Sequence, residues 1–295
     1  MTKIRNKRKL RIFDVINACI MILLGFSFVM PFWIIACSSL SDNGQLMSKG
    51  ISLWFRGFSF EGYAFLFQMS DVFFKSIISS LIVSFSNAAL SVALCTGAAY
   101  VLAKKDLAGR KALNIFFMIP MFFGGGMIPL YLVIRGIKIY DTVWALIFPC
   151  AVRISNVLLL RNYFYGIPTS LNEAGELDGA NQFQILIKII IPLAVPMMLT
   201  IGMIMFVDRW NNWLDTLLYF GSSNTKWWTI QYVLRQILTD MQSLYGSLGG
   251  GSIVDAPLIS ARNAAVVIAV LPLVCLSPVL HKYYIKGMTE GAVKG

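Results

Sequence analysis

Six apolar runs of bilayer-crossing length divide this chain, at 15–37, 73–103, 112–134, 142–160, 185–207 and 264–283. A helix needs about 20 such residues to cross the hydrocarbon core of a membrane. That core offers no water to an exposed amide, so each run is expected to close its own backbone hydrogen bonds as a helix. A membrane barrel would read as short alternating strands instead. Charged residues make up only 13% of the chain and the mean hydropathy is +0.71, where a soluble domain carries about twice that charge. The fold expected is an all-α integral membrane protein with six transmembrane helices. A basic segment 1–14 precedes a six-span domain over 15–285, and a tail, 286–295, follows.

Lys and Arg are unevenly shared among the connecting segments. Segments 1–11, 104–111, 161–188 and 281–295 hold 15 in 62 positions, whereas 39–72, 135–141 and 208–262 hold 8 in 96. Basic residues accumulate on the cytoplasmic side of membrane proteins. Both termini and the 161–188 segment are therefore expected in the cytoplasm. The same asymmetry accounts for the net charge of +11 without a nucleic-acid partner. The first run, of about 23 residues, exceeds the 7–15 of a signal-peptide core, so it is expected to stay as a span.

Within the runs, chemistry is sparse. The five cysteines (Cys19, Cys37, Cys95, Cys150 and Cys275) are scattered singly, with no CxxC pair, and read as small packing residues. His281 stands alone beside Lys282 at the last membrane edge, so neither a metal site nor a Ser-His-Asp set is expected. No GxxxxGK[ST] loop is present, so the chain should not cradle a nucleotide's phosphates itself. Eight of the ten prolines fall in or at the ends of runs. They fit moving kinks and static packing features equally. The second run is rich in Ser, Ala and Gly and carries Asn87, which places it inside the bundle, where small residues let helices approach.

The segment 168–187 is polar and lies between the fourth and fifth runs. Ser170 with Glu173 three residues later reads as a capping box opening a short helix to about Leu177. Asp178 and Gly179 then read as a turn, with glycine free to take positive φ. A restart is expected near Asn181, leading through Phe183 into the fifth run.

From Glu173 the chain reads Glu-Ala-Gly, three residues, Gly179, nine residues, Ile189, one residue, Ile191-Pro192. This resembles the "EAA" loop of the membrane subunits of binding-protein-dependent ABC importers, with Gly175 where Ala and Ile191 where Leu are usual. The stretches 57–63, 99–110, 122–131, 210–211, 231–238 and 286–295 are similar to the carbohydrate branch, in its maltose-type, oligosaccharide subgroup. The resemblance implies a type I importer fold and a coupling helix docked in a separate ATPase. It gives Glu173 a basic partner on that ATPase and makes Phe183 an apolar anchor. Ala174 and Ala180 permit close approach, and Asp178 with Gly179 forms the bend. It further implies a second, related permease chain as heterodimer partner, two ATPase subunits or domains that bind ATP and Mg, an external solute-binding protein and a bacterial cytoplasmic membrane. This chain is then not an enzyme and holds no cofactor.

For a sugar path, hydrogen-bonding groups beside aromatic surface are needed. Arg153 lies inside the fourth run, about 12 Å along the helix from Arg161. With Asn156, it fits either a pathway lining that favours a polar or acidic sugar, or a snorkelling or subunit-interface arginine. Trp210, Asn211 and Asn212 fit a path lining or an interfacial aromatic belt. The 246–251 glycine-rich stretch fits a contact for the binding protein or a plain loop. An ion-coupled secondary transporter is the alternative of another class. Against it, no Asp or Glu lies within runs two to six, where proton and ion relays would need them. A permease for a non-sugar solute is the alternative within the class.

Overall fold

Helix is the only regular backbone structure among the described residues of the computed structural model, which are 12–68, 71–104, 106–220, 224–247 and 257–292. The expectations for the basic residues 1–11, for most of the 246–251 stretch, for the last tail residues and for the side chain of His281 lie outside them. Two units divide the chain: 1–69 with 241–268, and 70–240 with 269–295.

The first unit contains α1 (Ile12–Ser39), α2 (Asn43–Lys49), α3 (Glu61–Gln68) and the start of α14 (Leu258–Ala292). The Asp42 carboxylate accepts from the Gln45 amide at 2.8 Å and starts α2. Gly62 of α3 lies so close to α14 that a Cβ there would stand 2.6 Å from the Ser260 carbonyl carbon. Only glycine fits that approach. Aromatic rings run in sequence from Trp33 through Trp54, Phe55, Phe58 and Phe60 to Tyr63, with neighbouring centroids 5.0–6.2 Å apart.

In the second unit, α4 (Asp71–Ala103) is the axis against which α8 (Ile154–Tyr165) and α11 (Ile191–Trp210) pack. Of the small residues that place this run inside the bundle, Ser79, Ser80, Ser84, Ala88, Ser91 and Ala99 are buried together with Asn87, Ser86, Gly97 and Ala98 are half-buried, and Ala89 and Ala93 are exposed. Gly202 of α11 faces Val92, where a Cβ would sit at 3.3 Å. Small side chains thus bring two backbones together where lipid supplies no hydrophobic drive between helices. Ser80 Oγ accepts the first amide of α13 (Ile230–Ser247) at 2.7 Å.

Six unbroken spans do not appear among the described residues. Four helices among the described residues are long and apolar enough to cross a membrane: Phe13–Ser39, Val72–Ala103, Gln182–Trp210 and Leu258–Pro278. The expected third span is two helices, α5 (Arg110–Phe122) and α6 (Met127–Gly136), bent by 111°. Glycines 124–126 separate them, and Gly126 takes φ 84°; each glycine weakens a helix by about 1 kcal/mol. The expected fourth span, 142–160, is also divided. A single turn, α7 (Trp144–Ile147), stops before Pro149, Cys150 takes φ 62°, and Arg153 is extended where α8 begins. Proline has no amide with which to carry the helix onward. Asn87 of α4 steadies this break by donating to the Ile147 carbonyl at 2.6 Å.

Candidate functional site

Between α8 and α11 the chain makes an exposed elbow of two short helices, α9 (Thr169–Leu177) and α10 (Gln182–Ile185). The capping box expected of Ser170 and Glu173 is absent, because α9 starts at Thr169 behind an extended Pro168 and Ser170 is already inside the helix. The box forms at α10 instead: the Gln184 amide donates to Asn181 Oδ1 and the Asn181 amide to Gln184 Oε1. Gly179, at φ 78°, turns the chain between the two helices, as its sequence position implied. A π-helical turn, Leu186–Ile190, then leads into α11.

The only buried residue of α9 is Gly175. A Cβ there would meet Ile189 Cδ1 at 3.1 Å and Ile185 Cγ1 at 3.2 Å. Glycine at the position where the resembled motif has alanine lets α9 lie tight against the root of α11. Glu173, Ala174, Asp178, Gly179 and Phe183 are exposed and Ala180 is half-buried, so all six residues expected to meet an ATPase lie on the one elbow. Leu177, which the sequence reading did not single out, is the most exposed apolar side chain there at 89%, with Phe183 at 69%. Two uncovered apolar side chains flanking a fixed turn are suited to docking in another chain's cleft.

Gln182 joins the elbow to the bundle. Its Oε1 accepts from Tyr100 Oη at 2.8 Å and from Lys104 Nζ, and its Nε2 donates to Glu176 Oε1 at 2.6 Å. One amide side chain thereby ties the end of α4 to both α9 and α10.

A cavity of about 740 Å³ lies at the other end of α11, lined by Arg153, Met203, Ile204, Val207, Asp208, Asn211, Asn212, Trp213, Leu214 and Ser277. Of the five residues expected on a substrate path, Arg153, Asn211 and Asn212 line it. Asn156 and Trp210 do not. Asn156 is buried, and Trp210 is wholly enclosed, its indole N–H donating to the Ala269 carbonyl at 3.1 Å and its ring stacked on Phe206. Arg153 marks the break before α8 rather than the inside of a helix, and it pairs with Asp208 at 2.7 Å. Asp208 and Trp213, the two ends of the polar and aromatic 208–213 stretch, also line it. Arg235 lies over the Trp213 ring, 3.6 Å from its centroid. A second, apolar cavity of about 570 Å³ between α4 and α11 adjoins the first through Met203 and Val207. Among the described residues no group of three or more His, Cys, Asp or Glu comes together to hold a metal.

Residues 89–290 match the model of a family described as the binding-protein-dependent transport system inner membrane component. Over 290 residues the chain is 34% identical to the polygalacturonan/rhamnogalacturonan transport system permease protein YtcP of Bacillus subtilis (strain 168), covering 97% of this chain and 100% of that one. It is 25% identical over 296 residues to the arabinooligosaccharides transport system permease protein AraQ of the same organism, covering 99% and 100%. Among solved structures it superposes, with a TM-score of 0.83 and 25% identity, on a chain of a bacterial ABC transporter involved in the import of the acidic polysaccharide alginate, covering 96% of this chain and 99% of that one.

Proposed function

Given that the chain belongs to the family of binding-protein-dependent transport system inner membrane components, we propose that it is the permease subunit of an ATP-driven importer carrying an oligosaccharide into the bacterial cytoplasm. It is a multi-pass protein of the inner membrane. The observation that carries the reading is the α9–α10 elbow, where the Glu173–Gly179 motif presents Leu177 and Phe183 to solvent. An ATPase on a separate chain grips this elbow from the cytoplasm and binds the ATP and Mg. Closure of two such ATPase subunits moves the elbow, and Gln182 passes the movement to α4. The bundle then alternates between inward- and outward-facing states. Both termini face the cytoplasm, as the distribution of basic residues favours. A second, homologous permease completes a heterodimer and covers the apolar cavity between α4 and α11, and an external solute-binding protein delivers the sugar. Relatives named as permeases of polygalacturonan/rhamnogalacturonan and of arabinooligosaccharide transport systems support the substrate class.

The test is uptake of labelled oligosaccharides by cells with and without this chain, under two energy conditions. Depleting ATP is expected to abolish uptake, while a proton ionophore applied with ATP held constant leaves it intact. Uptake that collapses with the ionophore at constant ATP would instead establish an ion-coupled carrier.

A further inference from the structure

We propose that the cavity at the end of α11 is a binding site for the carboxylate of an acidic sugar, with Asp208 holding Arg153 in readiness until the sugar displaces it. The proposal rests on the importer reading and deepens it by naming the substrate class.

Among the described residues, Arg153 and Asp208 are the only charged side chains that line the cavity. Their contact is single: Nη2 of the arginine donates to Oδ2 of the carboxylate at 2.7 Å. A guanidinium has five donors in a planar fork that suits two parallel bonds to a carboxylate. Here one of the five is engaged by a side chain among the described residues. Both side chains are about one-third exposed, at 38% and 34%, so the pair is open to the cavity rather than sealed in the core. The neighbouring Arg209–Asp215 pair differs, with an arginine side chain only 2% exposed and a further bond to the Pro149 carbonyl. The first arrangement is exchangeable; the second is structural.

The surroundings fit the rest of a sugar. Asn211 and Asn212 offer amide donors, with Asn212 Oδ1 already taken by the Asp215 amide. Trp213 supplies an aromatic surface, and Arg235 over that ring adds a second positive charge beside the wall. Two arginines against one aspartate leave this end of the cavity net positive, which favours an anion. The pair also joins the break before α8 to the end of α11. Exchanging Asp208 for a sugar carboxylate therefore releases one helix end from the other at the moment of loading.

The experiment uses the purified importer complex, with its ATPase and second permease, in nanodiscs without the binding protein. Equilibrium binding of labelled trigalacturonate is compared with that of galactotriose, its neutral counterpart. The wild-type complex is expected to favour trigalacturonate. Arg153→Gln is expected to weaken trigalacturonate at least about tenfold, the loss of a charged hydrogen-bonded contact, with little change for galactotriose. Asp208→Asn, of the same size but without the competing charge, is expected to tighten trigalacturonate. Recovery of the ATPase with each variant reports assembly. Equal binding of the two trimers, no binding of either, or wild-type affinity for trigalacturonate in Arg153→Gln would overturn the proposal. Those results leave the importer reading standing wherever the ATPase is recovered, whereas its absence from the wild-type preparation would remove both.

Discussion

Replacing Arg209 with alanine is expected to destabilise the protein by about 3–5 kcal/mol, the cost of leaving one partner of a buried ion pair alone. Arg209 is 3% exposed, its Nη1 donates to Asp215 and its Nη2 to the Pro149 carbonyl at 2.8 Å. One guanidinium thus fastens the end of α11 both to α12 (Leu214–Tyr219) and to the break between α7 and α8. Pro149 ends the helical path there, so its carbonyl depends on this side chain. Thermal unfolding of the detergent-solubilised complex checks the loss. Arg153→Ala, removing a pair one-third exposed, is expected to change stability by about 1 kcal/mol or less. The double change Arg209→Met with Asp215→Leu should cost less than Arg209→Ala alone, since no unpaired carboxylate is left. A double variant as unstable as the single one would mean that the Pro149 contact, not the ion pair, dominates.

Gly179→Val is expected to reduce uptake to a small fraction of wild type while the bundle still folds. The Gly179 backbone is left-handed at φ 78°, a conformation that costs an L-residue about 1–2 kcal/mol and a β-branched residue most of all. A Cβ at this position meets nothing within 4 Å in the chain itself, so crowding inside the subunit plays no part. The elbow must re-aim α10, or its new bulk must fit the ATPase cleft. Either way the thermal midpoint should move by only a few degrees. Uptake and ATPase stimulation, measured on the same preparation, separate loss of coupling from loss of fold.

The elbow was largely legible in the sequence, because its signals are local. Gly179, Asn181 and the end of α9 at Leu177 each follow from the few residues around them. The capping box was misplaced for an equally local reason: Pro168 admits a helix start at Thr169, one residue before the serine that would have capped it. The broken third and fourth spans were not legible. Hydropathy measures burial in lipid and is indifferent to a run of three glycines or to a proline that divides a helix. Mixed runs such as 142–160 therefore read as continuous. The Arg153–Asp208 pair joins residues 55 apart, which no periodicity reports. Trp210 shows the opposite failure: its indole satisfies a buried carbonyl, and nothing in the surrounding Asp-Arg-Trp-Asn-Asn-Trp stretch distinguishes it from Trp213, which lines the cavity. Leu177 was passed over because exposure of an apolar residue at a helix end depends on what the rest of α9 packs against, here only Gly175.

The most direct test of the account is the amount of ATPase recovered with this chain in mild detergent, for wild type and for a variant carrying Leu177→Asp and Phe183→Asp. Both side chains are exposed, so the variant should fold and keep its second permease. The account predicts a Walker-motif ATPase in near-stoichiometric amount with the wild-type chain and its loss from the variant, with the second permease recovered from both. An ATPase missing from the wild-type complex, or bound equally by both forms, would contradict the claim that this elbow is where the importer is driven.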